Sequence, residues 1–509
     1  MKTFAQSFRS TASARENFAL FDQTAMIKTA LLFLALSAAY FLTRSPGLDE
    51  IDSVNFAMGV RDFNIWEHKP HPPGYPLFIF LGWIGTKFFQ ASPELSLHLI
   101  SALGGGFFVA IWFLIIRLQF SERLAWWIAI CLAITPAVWM TATKVLTDSL
   151  ASGLISAEIL AALYFVKNGG PGGILFASLF GAAAAGIRPQ LFLVALIIIT
   201  LGLQRRRAGM KMSLLALSLL ITGCLVWLLP MWYLQARLRP DVPAWLVYPK
   251  LAYSQWQWRA HRPGVYLFAG DWSPKYLSFR LIAHTLGWFG LGFGFLQSWP
   301  ALAAGTIIAS VGMVAYFVRP PNSEDRAFWK FHLPWALLHV AIIFVCLPPA
   351  QRYYLLAYPL LLLALLRGFL QLPGRWRWSA LSLPAVLLFT TIPIAIANHR
   401  DPAPPVRLVQ FLEKLYPPLT RSRVVLLLGA AGRQAEWYVP EFVTFPEIPP
   451  TEKLAEITRD AVAVYTDDQK LVLPKGWRRV PIAEFHRSWI IYMKHHHLHL
   501  FLIDRGNPG

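Results

Sequence analysis

The sequence predicts an all-α polytopic membrane protein that carries a small α/β domain at its C-terminal end. Hydrophobic residues make up 56% of the 509 residues and charged residues only 14%, whereas about 25% charged residues is usual for soluble domains. Apolar runs recur from Ala25 to Ala397, and the pattern changes after that point. The mean hydropathy of +0.47 agrees with this class.

Thirteen apolar segments are candidate membrane spans, because each approaches the roughly 20 residues that cross a bilayer. They cover residues 26–43, 76–90, 97–116, 124–140, 147–166, 172–187, 189–204, 213–234, 281–297, 300–318, 331–347, 352–366 and 379–397. We expect 11 to 13 crossings and favour about eleven. In that arrangement one segment between 76 and 204 and one of the pair 281–318 do not cross.

The distribution of charge decides between these counts. The net charge of +19 does not indicate nucleic-acid binding, because the basic residues form short clusters between apolar runs, at 205–211, 319–330 and 367–378. Such clusters are typical of loops that stay in the cytoplasm. Eleven crossings leave all three clusters there, whereas thirteen crossings move 205–211 to the opposite side.

The N-terminal segment should also stay in the cytoplasm, since it carries Lys2, Arg9, Arg15 and Lys28. The first loop, residues 44–75, then lies on the extracytoplasmic side. Both span counts place the region after the last apolar run on that side too. We therefore expect a multi-pass membrane protein with its first loop and C-terminal domain outside the cytoplasm.

The chain divides into a transmembrane domain, residues 1–400, and a soluble extracytoplasmic α/β domain, residues 401–509. The second part alternates helix-like and strand-like pieces: VRLVQFLEKLY, RVVLLLGA, AVAVYTDD, WIIYMKH and HLHLFLI. The histidines at 495–497 and 499 are candidate metal ligands. Alternation along a strand points neighbouring side chains to opposite faces, which favours a solvated or structural role.

Three carboxylates follow the first span in GLDEIDSVNFAMG, namely Asp49, Glu50 and Asp52. Asp49 could cap a short helix with Asp52 at the third helical position, which would turn Asp49, Asp52 and Ser53 to one face. Capping explains one acid or two. It leaves the remaining acid, and the residues that follow, to be explained by function.

The second half of this loop, RDFNIWEHKPHPPGYPLF, carries Glu67, His68 and His71 before a proline-rich approach to the next span. Carboxylates and imidazoles thus share one loop whose two ends are fixed by membrane helices. Such a loop offers a base and a site for a divalent cation such as Mg²⁺ or Mn²⁺. Asp52 and His71 are the candidate ligands.

An acidic pair after the first span, followed by HPPGYPLF, resembles the GT-C glycosyltransferases. The likeness is greatest to glycosyltransferase family 39, the branch of dolichyl-phosphate-mannose protein mannosyltransferases and bacterial aminoarabinose transferases. KVLTDSLASGLI, with Asp148, is similar to an acidic motif of that branch. QRYYLLAYPLLLLAL, with Arg352 and Tyr353, is similar to its arginine-tyrosine motif, and GIRPQLFL, with Arg188, matches more loosely. The resemblance covers about residues 20–400.

One departure concerns the metal. A lysine-proline pair with a neighbouring acid is common before the second span in the aminoarabinose branch, whereas this chain has HKPHPPGY. The resemblance therefore leaves the metal ligands undetermined.

The resemblance implies an inverting glycosyltransferase that moves a sugar from a polyprenyl-phosphate donor to an acceptor hydroxyl. The likeness to bacterial enzymes also implies the bacterial inner membrane, with the active site outside the cytoplasm. Such a reaction needs a base for the hydroxyl and positive charge for the departing phosphate. Asp49 is the candidate base, and Glu50 and Asp148 are the other candidate catalytic acids. The candidate phosphate ligands are Arg352, Tyr353 and Arg188.

Structural roles compete with each of these assignments. Arg352 could anchor an interfacial span among aromatic residues, Asp148 could cap the helix after Thr147, and Arg188 could stabilise the helix break before Pro189. A transporter or flippase of lipid-linked sugars is the alternative function, and a non-catalytic assembly scaffold is a third. The acceptor is a glycan, glycolipid or protein that the sequence does not identify.

Overall fold

The computed structural model describes residues 22–260, 273–285, 299–318, 322–348, 350–429, 431–445, 449–459, 461–467, 471–488 and 497–505. In this part of the chain a long helical region comes first, and a small five-stranded sheet with flanking helices follows it. We call these two parts the bundle and the tail.

The bundle is built from sixteen α-helices within the described residues. They are α1 (Gln23–Leu42), α2 (Ile51–Arg61), α3 (Pro76–Phe89), α4 (Pro93–Gln119), α5 (Glu122–Ala133), α6 (Pro136–Thr143), α7 (Asp148–Asn168), α8 (Pro171–Ile187), α9 (Leu191–Arg206), α10 (Met210–Leu238), α11 (Val247–Ala260), α12 (Pro274–Thr285), α13 (Trp299–Val318), α14 (Ser323–Cys346), α15 (Tyr358–Gln371) and α16 (Ser382–Arg400). A 3₁₀ segment, Gln351–Ala357, leads into α15.

Seven of the described helical stretches are long and apolar enough to cross a membrane, or eight if a bent pair counts as one span. They include α1, α4, α7, α10 and α14, together with the stretches Gln351–Gln371 and Gly374–Leu415. Helices α3 and α8 are apolar but shorter. Part of the candidate span 281–297 lies outside the described residues, so eleven crossings stay a prediction.

The candidate span 124–140 is not one straight helix, and whether it crosses the membrane stays a prediction. Helices α5 and α6 meet there at a bend of 60°. Pro136 lacks an N–H and disfavours helical geometry at Thr135, whose backbone is extended. The hydroxyl of Thr391 on α16 donates to the Ile134 carbonyl, which satisfies an acceptor that the break leaves open.

Three consecutive glycines let α4 contact three neighbouring helices closely. A methyl group at Gly104 would approach Leu150 on α7, one at Gly105 would approach Ala142 on α6, and one at Gly106 would approach Ser37 on α1. Small residues permit such close backbone approach between membrane helices. The run LGGGFF therefore determines where four helices meet.

The tail is an α/β unit, as predicted. Its helices are α17 (Pro404–Leu415), α18 (Gly432–Tyr438) and α19 (Thr451–Ile457), and its strands are β1 (Val424–Leu427), β2 (Val443–Thr444), β3 (Val462–Thr466), β4 (Arg478–His486) and β5 (His497–Asp504). The strand order is β2-β1-β3-β5-β4; β1 pairs in parallel with β2 and β3, and β5 pairs antiparallel with β3 and β4. The predicted piece WIIYMKH lies outside the described residues.

We predict that Gly104→Ala lowers the thermal stability of the protein in detergent. The added methyl group would lie 2.6 Å from backbone atoms of Leu150, and backbone cannot yield as a flexible side chain does. Overpacking of this kind costs about 1–3 kcal/mol. The melting temperature, followed by intrinsic fluorescence, is the measurement.

Gly202→Ala on α9 is the matched control, because its methyl group would meet only side-chain atoms of Ile174 at 3.3 Å and Ala162 at 3.5 Å as its nearest neighbours. Both changes gain the same helix propensity. Equal melting temperatures for the two variants would contradict the close contact at Gly104.

Candidate active site

The acidic loop after α1 is held from two sides, by the bundle and by the tail. The N–H of Ser45 donates to the carbonyl of Thr143 at the end of α6, at 3.0 Å. The N–H of Leu48 donates to the hydroxyl of Tyr438 on α18, at 2.9 Å. These two hydrogen bonds hold the backbone just before Asp49 in place.

Asp49 lies where the bundle meets the tail, and two cations approach its carboxylate. Its Oδ2 lies 2.8 Å from Nη1 of Arg487, which directly follows β4, and 3.7 Å from Nζ of Lys144. The side chains of Asp49 and Arg487 are both 0% exposed. A general base must come within hydrogen-bond reach of the hydroxyl it deprotonates, and in this conformation Asp49 is closed to an acceptor.

The helix after the acidic loop has Glu50 at its N-cap position, and no side chain forms a capping hydrogen bond there. The prediction that Asp49 caps this helix, with Asp52 at its third position, is wrong, because the Asp49 carboxylate is bound by cations instead. Asp49, Asp52 and Ser53 do not share a face either. The Ser53 hydroxyl donates to the Val145 carbonyl at 2.8 Å.

Glu50 connects two groups of cations. Its Oε1 lies 3.3 Å from Nζ of Lys144, and its Oε2 lies 3.6 Å from Nη1 of Arg352. The side chain is 36% exposed. Burial alone would raise the pKa of Glu50, but the attraction of Lys144 and Arg352 outweighs it and lowers the pKa. Glu50 is therefore ionised at neutral pH and partly accessible.

Asp52 forms the shortest ion pair of Arg352, with 2.7 Å between its Oδ2 and Nη2. Its Oδ1 lies 3.7 Å from Nε2 of His71. Burial would raise the pKa of Asp52, but attraction to His71, which is protonated at the low pH where Asp52 titrates, and to Arg352 lowers the pKa to about 2. Asp52 therefore holds Arg352 across the whole physiological range of pH.

His71 is placed by the loop that leads into α3. Its Nε2 lies 2.9 Å from the hydroxyl of Tyr75, and both rings pack against Phe56 on α2. Tyr75 has a φ of 48°, a left-handed conformation that is uncommon outside glycine. Burial lowers the pKa of His71 and the charge of Asp52 raises it, with a net lowering, so His71 is neutral at pH 7.

Asp148 and Arg188 form a second ion pair, with 2.9 Å between Oδ1 and Nη2. Asp148 is the first residue of α7, and Arg188 follows the last residue of α8. The Nε of Arg188 also donates to the Thr147 hydroxyl at 2.9 Å. Asp148 thus orients an arginine, and its Oδ2 makes no hydrogen bond to any described residue.

Arg188 and Arg352 meet at Tyr353. Each guanidinium carbon lies 5.1 Å from the centroid of the Tyr353 ring. Next to them is a small cavity of about 20 Å³. Its polar lining includes Asp148, Arg188, His339 and Arg352, and its apolar lining includes Leu191, Ile342, Ile343, Leu347 and Leu356. The two arginines are suited to an anion, and the apolar residues beside them are suited to hydrocarbon.

The structure brings the predicted site residues into one connected cluster. Four of them line the cavity: Asp148, Arg188, Arg352 and Tyr353. Glu50 and Asp52 pair with Arg352, His71 lies next to Asp52, and Asp49 is linked to Glu50 through Lys144. Four carboxylates (Asp49, Glu50, Asp52 and Asp148) face four cations (Lys144, Arg188, Arg352 and Arg487). In formal charge the cluster neutralises itself.

The sequence interpretation did not single out Lys144, Arg487, Tyr75 or His339. Lys144 had a usable signal, because it is the only charged residue between Arg123 and Asp148. Arg487 had none, since one arginine in a basic tail does not reveal a buried partner hundreds of residues away.

No protein-family model matches this chain, and no curated protein matches it. Among solved structures, ArnT from Cupriavidus metallidurans bound to undecaprenyl phosphate matches with a TM-score of 0.57, covering 94% of this chain and 97% of that one at 13% identity. The apo state of the same protein matches with a TM-score of 0.55 and covers 94% of this chain and 98% of that one. The predicted fold class is confirmed: this chain has the fold of ArnT over most of its length.

Proposed function

We propose that this protein is an inverting glycosyltransferase that acts at the extracytoplasmic face of the membrane. It moves a sugar from a polyprenyl-phosphate donor to a hydroxyl of an acceptor glycan, glycolipid or protein. The observation that carries this proposal is the cavity in which Arg188 and Arg352 meet an apolar wall beside several carboxylates. A structure of the similar fold is bound to undecaprenyl phosphate, which supports a lipid phosphate as ligand.

The proposed reaction is a single displacement. The acceptor oxygen attacks the anomeric carbon from the side opposite the phosphate, and a new carbon–oxygen bond forms while the bond to the phosphate oxygen breaks. The electron pair of the broken bond stays on the polyprenyl phosphate, and the hydroxyl proton passes to a carboxylate. Inversion at the anomeric carbon follows from the one displacement.

Arg352 and Arg188 are the proposed ligands of the phosphate, with Tyr353 between them. A guanidinium matches phosphate oxygens with two parallel donors. Arg352 is already paired with Asp52, but its Nη1 makes no hydrogen bond to a described residue. Arg352 can therefore donate to a phosphate oxygen from one edge of its guanidinium while Asp52 accepts from the other.

Asp52 and His71 do not fit the divalent cation that we expected from the sequence. Asp52 is bound to Arg352 at 2.7 Å, and His71 interacts with the Tyr75 hydroxyl at 2.9 Å. The nearby guanidinium would repel a cation, and it already occupies the Asp52 carboxylate that would bind one. In the proposed reaction the arginines stabilise the departing phosphate.

Glu50 is the proposed proton acceptor. It is partly exposed and lies 3.6 Å from Arg352, which sets it beside the proposed phosphate position. Asp49, the base expected from the sequence, is enclosed by Arg487 and Lys144. We therefore propose that Asp49 fixes the acidic loop to the tail through its ion pair with Arg487. If that ion pair opens, Asp49 is the alternative base.

We predict that Glu50→Gln lowers sugar transfer by about a hundredfold or more, because a positioned base commonly supplies 10²–10⁴-fold in rate. Binding of undecaprenyl phosphate should be retained. The measurement compares a deletion strain that carries the parent or the variant gene, by mass spectrometry of its cell-surface glycans. The deletion strain should lack the transferred sugar on its glycans. If the Glu50→Gln gene restores that sugar to the parental level, Glu50 is not the base.

Asp49→Asn should instead act mainly on stability. It removes one partner of a buried ion pair, and breaking such a pair costs about 3–5 kcal/mol. We expect a melting temperature below that of Glu50→Gln. A variant Asp49→Asn that melts like the parent but transfers no sugar would identify Asp49 as the base.

Arg352→Ala should weaken binding of undecaprenyl phosphate about ten- to a hundredfold, because a charge-assisted hydrogen bond contributes roughly 1.5–3 kcal/mol. Arg352→Lys should fall between the parent and Arg352→Ala, since it keeps the charge and loses the two-donor geometry. The dissociation constant of the purified protein in detergent is the measurement.

The matched control is Arg239→Ala. Arg239 also pairs with a carboxylate, that of Asp241 at 2.7 Å, but both are exposed. It should bind like the parent. Equal affinity of the parent, Arg352→Ala and Arg239→Ala would remove Arg352 from the phosphate site.

The alternative function, transport of lipid-linked sugar without transfer, predicts no glycoside product in detergent, where there is no second compartment. Formation of product and release of polyprenyl phosphate by the purified protein would decide for the transferase.

A further inference from the structure

A second cluster of chemically reactive side chains lies on the tail, on the hairpin of β4 and β5. Glu484 is opposite His499 in this antiparallel pair, and His486 is opposite His497. Side chains directly opposite each other on one face of a sheet lie close together. All four side chains are between 41% and 60% exposed, so this face is open to solvent.

Strand alternation explains why this cluster forms. Phe485 and Leu498, which lie between these residues on the two strands, are buried in the tail core. The residues on either side of them therefore point to the opposite, solvent-facing side. The expectation that alternation separates the histidines is wrong for His497 and His499, because residues two apart share a face. His495 and His496 lie outside the described residues.

The distances within the cluster suit a metal ion. The Oε1 atom of Glu484 lies 2.8 Å from Nε2 of His486, 3.8 Å from Nδ1 of His497 and 3.6 Å from Nε2 of His499. The ligand atoms of Glu484, His486 and His497 all lie within 4.8 Å of one another. Ligands of tetrahedral zinc, at bonds of 2.0–2.1 Å, are roughly 3.3 Å apart.

We propose that Glu484, His486 and His497 bind a divalent transition-metal ion of the Zn²⁺ class. Two imidazoles and one carboxylate favour such an ion, whereas Mg²⁺ and Ca²⁺ prefer oxygen ligands alone. Three protein ligands leave a position for water or for His499, whose ring lies near Asp467 at 3.9 Å. This site is separate from the cavity and from the residues proposed for transfer.

The site adjoins the junction of tail and bundle. His486 is the last residue of β4, and the next residue, Arg487, forms the buried pair with Asp49. The His486 carbonyl accepts from Arg407 at 2.7 Å. A metal bound to His486 therefore fixes the end of the strand from which Arg487 reaches the bundle.

The test uses the full-length chain without a histidine tag, stripped with a chelator in detergent and titrated with zinc chloride in a calorimeter. The parent should bind one zinc ion. Glu484→Gln and His486→Ala should each weaken binding at least about tenfold, and His399→Ala, which changes an exposed histidine of α16, should not. Magnesium chloride should give no binding heat with any variant.

Glu484 and His486 are the informative positions because they lie outside the run of histidines at 495–497. Metal-free variants should melt at the parental temperature, since both side chains are about half exposed. If the two variants bind zinc as tightly as the parent, the histidine run alone binds it and the proposed site is wrong. Absence of zinc binding by the parent would overturn the proposal as well.

Discussion

The buried ion pair of Asp49 and Arg487 joins the two parts of the molecule and orders the rest of the site. It closes the acidic loop against the tail, and Lys144 extends it to Glu50 and from there to Arg352. Two fully buried charges are costly to desolvate, and the attraction between them, with Lys144 near Asp49 and Asn398 near Arg487, offsets that cost. The position of the carboxylates on α2 therefore depends on a residue near the other end of the chain.

The balance of four carboxylates and four cations has a consequence for ligand binding. A phosphate that enters adds negative charge to a cluster that is already neutral in formal charge, so at least one carboxylate must weaken its hold on a cation. Glu50, which is partly exposed and lies 3.6 Å from Arg352, can yield with less change than Asp52 at 2.7 Å. Binding of the phosphate to Arg352 would then release Glu50 from the same guanidinium, because both carry negative charge and compete for it.

The sequence predicted much of the bundle and of the candidate site, because its signals are local. Apolar runs locate the long helices, and the loop that holds Glu50, Asp52 and His71 is conspicuous between two spans. What the sequence missed depends on contacts between distant segments. Arg487 reaches Asp49 only when the tail has folded against the bundle, so the sequence does not reveal their ion pair. The Asp49 carboxylate binds this arginine instead of capping the helix that follows.

The glycine run of α4 restricts how the cavity can open. Because the glycines face backbone or small side chains, little lies between these helices that can rearrange, and we expect α1, α6 and α7 to keep their positions against α4. Helix α7 supplies one wall of the cavity through Asp148, Ala151 and Ser152, while α14 and the segment Gln351–Ala357 supply the opposite wall. We therefore expect any widening that admits a bulky headgroup to come from movement of α14 and the segment Gln351–Ala357, while the helices packed on the glycines of α4 keep their positions.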